Sequence, residues 1–194
     1  MKDTIIIKDD FCPQLEEVRQ SALDSGFGTW TPNQGLVGKS EYDGMNFAGN
    51  HDLITRCLSG ALGFPIYPRA SFFRITKPDT RTYIHSDRTH GNWTCIVYLS
   101  KHTEVSGTAF YRHRETGLME MPTFEQQKEM GIFDMLKADM ENGKEDKWEK
   151  LDFIRGVYNR ALIFNAPLFH SRISEVESKE DTTARMVHVT HFFL

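Results

Sequence analysis

Residues 92–100 read Asn92-Trp-Thr-Cys-Ile-Val-Tyr-Leu-Ser100, an aromatic and β-branched run that predicts a strand. Working outward, the same signal recurs on both sides. Upstream lie YPRASFFRIT (67–76), a turn at 77–80, and RTYIH (81–85), each run outside the turn read as extended. Downstream, TAFYRH (108–113) is entered through Gly107, and the β pattern resumes at 151–157, 160–165 and 183–194. Between them Pro122-Thr123 opens a helical stretch with Phe124, Met130, Ile132, Phe133, Met135 and Leu136, followed by a charged tract at 142–150.

The first third of the chain reads differently. A short strand at 4–7 precedes Asp10, which can cap a helix with Pro13 in its early turn. Leu15, Val18, Ala22 and Leu23 share one face of that helix, Glu16, Glu17, Arg19 and Gln20 the other, and Gly26 and Gly28 end it. Residues 29–49 are rich in Gly, Asn, Asp and Pro and read as loop with at most a short strand. Asn50 is the expected cap of a second helix carrying Leu53, Ile54, Cys57, Leu58 and Leu62, stopped by Gly63 and Pro65. Helices first, then about seven or eight short strands with one helical insertion, give an α+β, mainly β chain. The expected architecture is a sandwich or jelly-roll barrel with the N-terminal helices packed on one sheet.

The 194 residues suit one domain. Its expected parts are an N-terminal helical support (1–66) and a β core (67–194) with an insertion at about 114–150. A net charge of −4 gives no basic footprint, so nucleic acid is not an expected partner. Three cysteines, Cys12, Cys57 and Cys95, are odd in number and lack CxxC spacing, which fits a reducing cytosol. The start of the chain is too short and acidic for a signal peptide, and no apolar run approaches the roughly 20 residues that span a bilayer. The expectation is a soluble cytoplasmic protein without a membrane partner.

The chemistry begins at Tyr83-Ile84-His85-Ser86-Asp87. In a strand, residues i and i+2 face one side, so His85 and Asp87 can reach one point in space. They are two thirds of the 2-His-1-carboxylate set that holds non-haem Fe(II) with open positions; alone, the pair also fits an exposed polar strand end. His170, following the apolar run Ala161-Leu162-Ile163-Phe164, is the third candidate ligand. His51, His90, His102 and His113 fall in loops or at strand ends and read as solvated. His188 and His191 are three apart on the last strand and therefore face opposite sides. Arg185, inside that strand, is costly there unless an anion pairs with it, which points to an acidic co-substrate gripped bidentately; a solvent-facing edge strand is the other reading.

Together these segments resemble the 2-oxoglutarate- and Fe(II)-dependent oxygenases, nearest the prolyl-4-hydroxylase-like branch with its poorly characterised bacterial and viral members. The resemblance covers about residues 67–194 and is carried by Tyr83-Ile-His85-Ser-Asp87, Thr94-Cys-Ile-Val-Tyr98-Leu-Ser, Ser106-Gly-Thr-Ala-Phe110, Asn159-Arg-Ala-Leu-Ile-Phe164, His170-Ser-Arg and Arg185-Met-Val-His-Val, in that order. It implies a double-stranded β-helix (a jelly-roll or cupin-like core), with His85, Asp87 and His170 as the catalytic iron ligands. It implies Arg185 and Tyr98 at the distal carboxylate of 2-oxoglutarate, with Tyr83 a further residue of the co-substrate pocket, although Tyr98 also reads as a core aromatic. O2 and 2-oxoglutarate would be consumed, a C–H bond hydroxylated, and succinate and CO2 released. Arg185 lies 15 residues after His170, farther than is usual in the family; the polar stretch at 174–183 absorbs the difference, and Arg172 and Lys179 are the fallback partners of the carboxylate.

Arg172, Arg88 and Trp93 are candidate substrate contacts, with Arg112 and Arg114 as further rim residues. The substrate expected is a peptidyl side chain such as proline, or a small amino-acid-like metabolite. Residues 29–49 and 111–150 are the expected substrate lid, the helices alternatively covering a sheet edge. A catalytically inactive, cupin-like metal- or ligand-binding module is the alternative to an enzyme.

Overall fold

A computed structural model describes residues 4–31, 42–78, 82–101, 105–142, 145–175, 178 and 180–194. His102, Lys179 and the middle of the 29–49 loop lie outside the described residues. The elements in chain order are β1 (Ile5–Lys8), α1 (Leu15–Ser25), β2 (Gly28–Trp30), β3 (Tyr42–Asn46), α2 (Asp52–Leu62), β4 (Pro68–Thr76), β5 (Trp93–Tyr98), β6 (Ser106–His113), α3 (Phe124–Met130), α4 (Phe133–Asn142), β7 (Trp148–Arg155), β8 (Ala161–Asn165), β9 (His170–Ser174) and β10 (Arg185–Phe192). A seven-stranded sheet runs β1-β8-β5-β10-β4-β3-β2, and a three-stranded sheet runs β7-β6-β9. All the pairings are antiparallel.

The period-2 alternation of the strands divides the larger sheet into two faces. Cys95, Val97, Ile163, Met186 and Phe192 turn to one side, where Leu15, Val18, Ala22, Ile54 and Leu58 of α1 and α2 bury against them. Ile96, Tyr98, Leu162, Phe164, Val187 and Val189 turn to the other and meet Phe110 of the smaller sheet. Both faces of the central strand β10 are therefore covered, and all eight of its residues are buried. The insertion packs through Leu136 against Trp148 and Phe169, beside Tyr111 and Ile132. The result is a mainly β protein of two antiparallel sheets and four α-helices.

Several local readings need correction. Asp10 takes a left-handed conformation (φ 49°) and is not the cap; Gln14 is the N-cap residue of α1, without a side-chain cap bond. His51, not Asn50, is the N-cap residue of α2. The expected strand near residues 4–7 is β1, at one edge of the larger sheet, while β2 and β3 form a two-stranded extension at the other edge where mostly loop was read. The insertion is two short helices rather than one, parted at Gly131 (φ 67°), and its first helix starts at a capping box between Thr123 and Gln126. Strand β9, starting at His170, was not expected from sequence.

At Gly107 the neighbouring strand β7 of the smaller sheet crowds the backbone. A Cβ there would run into the Ile154 carbonyl oxygen and lie 2.7 Å from the Phe153 ring. Overpacking of this kind costs about 1–3 kcal/mol. Gly107→Ala is therefore expected to lower the unfolding free energy by that amount, seen as a lower urea midpoint; an unchanged midpoint would contradict the packing described.

Candidate metal centre and its pocket

His85 and Asp87 do not share a strand. Residues 82–87 are irregular, and His85 makes only an isolated bridge to His170. That bridge is reciprocal: each residue's N–H donates to the other's carbonyl at 2.9 Å. Asp87 N–H donates to Ala166 O, also at 2.9 Å. A strand needs partners along its length, and in this segment only His85 finds one in ladder geometry. Backbone hydrogen bonds to the β8–β9 turn and to β9, rather than a common strand face, bring the three side chains together.

Their ligating atoms all lie within 4.8 Å of one another. His85 Nε2 is 3.7 Å from Asp87 Oδ1, and His170 Nε2 is 3.3 Å from Oδ2. Each imidazole is held from behind, His85 Nδ1 by Tyr83 O at 3.0 Å and His170 Nδ1 by Leu168 O at 2.9 Å. A carbonyl oxygen only accepts, so Nδ1 carries the proton in both rings and Nε2 faces the carboxylate. Thr94 Oγ1 donates to Asp87 Oδ2 at 3.1 Å and lies 3.1 Å from His191 Nδ1, fixing the carboxylate from its far side.

Burial opposes ionisation of Asp87, but His170, and then His191 and His85, outweigh it and hold the carboxyl well below the usual range. Burial likewise opposes charge on His170, yet the carboxylate keeps its pKa above the ordinary imidazole value. A group of two Nε2 atoms and one carboxylate, each oriented by a second partner, suits a divalent first-row ion such as Fe(II).

The triad lines a cavity of about 780 Å³ between the sheets. Arg185 enters it from β10, together with Val187, Val189 and His191; His188 points the other way, against Phe73 and His51. Arg185 is 3% exposed, its Nη2 donates to Gly107 O at a long 3.4 Å, and its Nε has no hydrogen-bond partner. Burial, and then Arg74, pull its pKa down to about 10, leaving a charged donor that calls for an anion. Its guanidinium carbon lies 5.8 Å from the centre of the Tyr98 ring, whose hydroxyl pairs with Thr108 Oγ1 at 2.8 Å.

Of the other residues expected from sequence, Tyr83, Arg88 and Arg172 line the cavity. Arg88 is anchored through Nη1 to Met121 O at 3.0 Å. Trp93 is a correction: it packs on the helix-facing cluster, as alternation from Tyr98 across an odd interval requires. Arg112 pairs with Glu149 and Arg114 with Trp148 O, so neither is held towards the cavity. His113 is not solvated but fully buried, with Nε2 3.0 Å from Asp139 Oδ2. His51 bonds His188, and His90 stacks on His191 at 5.0 Å.

In the helical insertion, Leu136 packs against Trp148 and Phe169, while Phe124 and Phe133 line the cavity. Trp30, Tyr42, Met45 and Phe47 line it from the 29–49 stretch. Arg74 and Thr94 went unassigned in the sequence. Arg74 reaches the cavity because β4 pairs with β10 in a register that sets it opposite Val187. That register is invisible in a single sequence.

Residues 76–188 match a family model described as a family of unknown function (DUF6445). None of the curated proteins matches the sequence. Among solved structures, the chain is similar to the non-heme alpha ketoglutarate dependent carbocyclase SnoK from nogalamycin biosynthesis, with a TM-score of 0.57 and 11% identity over 96% of this chain and 78% of that one. It is similar to AviO1 from Streptomyces viridochromogenes (TM-score 0.53, 8% identity, 96% and 88% covered). It is also similar to HygX from Streptomyces hygroscopicus with nickel and 2-oxoglutarate bound (TM-score 0.50, 10% identity, 96% and 81% covered). At such identities the likeness is one of fold. Among the described residues no helix is long and apolar enough to cross a membrane.

Proposed function

This chain belongs to the DUF6445 family of unknown function, and for it we propose a 2-oxoglutarate- and Fe(II)-dependent oxygenase that hydroxylates a C–H bond. The observation that carries the reading is the convergence of His85, Asp87 and His170 within 4.8 Å at the wall of a cavity that also holds the buried, under-bonded Arg185. The fold shared with SnoK supports it, as does the order of motifs, which favours the prolyl-4-hydroxylase-like branch and a double-stranded β-helix core forming a single oxygenase domain.

His85 Nε2, the Asp87 carboxylate and His170 Nε2 would hold Fe(II), and Arg185 the distal carboxylate of 2-oxoglutarate. When bound, iron with 2-oxoglutarate and O2 supplies oxidation of R–H to R–OH, with 2-oxoglutarate leaving as succinate and CO2. The protein's own tasks are to orient and to shield. Tyr83 O and Leu168 O fix the ring tautomers, Thr94 steers the carboxylate, and Gly107 O and Tyr98 set the guanidinium in place. The apolar residues around the cavity keep bulk water from the reacting centre, and the substrate is a peptidyl side chain or a small metabolite.

Anaerobic addition of Fe(II) and 2-oxoglutarate is expected to produce the weak visible metal-to-ligand absorption band, and air then to convert 2-oxoglutarate to succinate. Absence of the band from metal-replete protein would falsify the proposal. Metal binding with no succinate, whatever substrate is offered, would instead favour the inactive cupin-like module.

A further inference from the structure

Arg74 is the residue that the oxygenase reading leaves without work. It lies in β4, opposite Val187 of β10, and its side chain lines the cavity. Its Nε is sealed from solvent and has no hydrogen-bond partner. Desolvation lowers its pKa, while Tyr42 and Asp87 act in favour of its charge. A metal at the triad takes up the Asp87 charge, so the support Arg74 draws from that carboxylate falls when the site is loaded.

The cavity holds more positive charge than the reaction uses. The pKa of Arg172 is pulled down to about 9, first by burial and then by Arg74 and Arg185, and Arg74 also lowers the pKa of Arg185. Among the described residues that line the cavity, the only carboxylates are Asp87 and Glu141, the latter near the end of α4. With Fe(II), Asp87, dianionic 2-oxoglutarate and Arg185 the charges cancel, which leaves Arg74 without a carboxylate in that set. A desolvated cation without counter-charge is expensive, and a guanidinium recognises a carboxylate bidentately.

The remaining walls are apolar and partly open. Trp30, Phe47 and Phe72 form a run of ring contacts, at 5.7 and 6.0 Å between centres, and Phe124 meets Phe133 edge-on at 5.7 Å across the two helices of the insertion. Phe47 and Phe124 are 49% and 62% exposed, so this apolar lining reaches the surface. A volume of about 780 Å³ lies in the range of pockets for drug-sized ligands, well beyond what a five-carbon co-substrate fills.

Resting on the oxygenase reading, we propose that the substrate is a largely apolar small molecule bearing a carboxylate, that Arg74 binds this carboxylate, and that the Trp30-Phe47-Phe72 wall and the insertion's Phe124 and Phe133 hold the apolar body. The anion fixes the molecule at one end, so the position oxidised is set by its distance from Arg74.

The test is calorimetric titration of the full chain, loaded with redox-silent Zn(II) and saturating 2-oxoglutarate, using phenylbutyrate and decanoate, each against its own primary amide. The wild type is expected to prefer at least one acid over its amide by about tenfold or more, the strength of one charge-assisted contact. Arg74→Gln should erase the preference while amide binding and 2-oxoglutarate binding stay unchanged, and Arg74→Lys should keep part of it. Equal binding of acids and amides by the wild type, no binding of either acid, or a preference that survives Arg74→Gln would overturn the assignment. So would a weakening of 2-oxoglutarate instead of the acid, which would give Arg74 to the co-substrate. If Arg74→Gln fails to fold, the wild-type preference and Arg74→Lys decide the matter. A wild type that prefers the acids yet takes up no metal with 2-oxoglutarate would sink the oxygenase reading and leave the anion site standing.

Discussion

Asp87→Asn is expected to weaken Fe(II) binding by more than about a hundredfold and to abolish succinate formation. Asn keeps the size of the side chain and an oxygen that can accept from Thr94, and the Asp87 backbone bond to Ala166 O is indifferent to the change. What is lost is the one anionic donor of the set, and with it the charge that offsets a dication. Loss of an outer-shell partner alone typically costs 10–100-fold in metal affinity, so removing the charged ligand should exceed that range. Thr94→Val supplies the comparison: it deletes only the hydroxyl behind the carboxylate and should stay within it. Anaerobic metal titration followed by succinate assay reads both variants. Near-wild-type Fe(II) affinity in Asp87→Asn, with the fold intact by circular dichroism, would mean that the ion does not sit at the triad.

Arg185→Met should move two properties in opposite directions. Loss of the guanidinium removes the partner of the distal carboxylate, and charge-assisted bonds made in pairs imply at least about a hundredfold weaker 2-oxoglutarate binding. Metal affinity should change little, because Arg185 is not among the grouped ligands. Stability of the ligand-free protein should hold or rise. There Arg185 has one long bond to Gly107 O and an orphaned Nε, and exchanging such buried ions for apolar groups of similar volume is often neutral or stabilising. Melting curves with and without 2-oxoglutarate separate the two effects: the ligand-induced rise in Tm seen in the wild type should vanish in the variant. A large drop in the ligand-free Tm, or an unchanged co-substrate affinity, would refute this account of the residue.

The chemistry was more legible in the sequence than the geometry that assembles it. His85, Asp87, His170 and Arg185 are legible as candidates because few residue types ligate iron or bind a carboxylate, and the structure lines one cavity with all four. The reason given for bringing His85 and Asp87 together was incorrect, since a short extended run does not reveal whether it has neighbours to pair with. Trp93 was misplaced although alternation from Tyr98 already put it on the helix-facing side. His113 does end β6, but it reads as solvated because its partner Asp139 lies 26 positions away, in the insertion. Arg74 could not be singled out: in YPRASFFRIT it is an ordinary charged residue of a strand, and only the pairing of β4 with β10 turns it towards Arg185 and Arg172. Long-range register, which a one-residue slip would reverse, is where the sequence falls silent.

The order of the strands also bears on how the protein comes to be folded. Among the described residues β10 follows every other strand in chain order, yet it lies in the middle of the seven-stranded sheet, between β5 and β4. Until it inserts, β5 and β4 each present an open edge, and the apolar faces they carry have no common layer to bury. During synthesis two half-sheets must wait for their keystone, with unsatisfied backbone groups that invite pairing with other chains. Contacts spanning over a hundred positions, such as Phe73 with His188, slow folding through loop closure. Because Arg185 arrives on that same strand, the nascent chain can hold all three residues proposed to ligate the metal before it owns the residue proposed to grip the co-substrate.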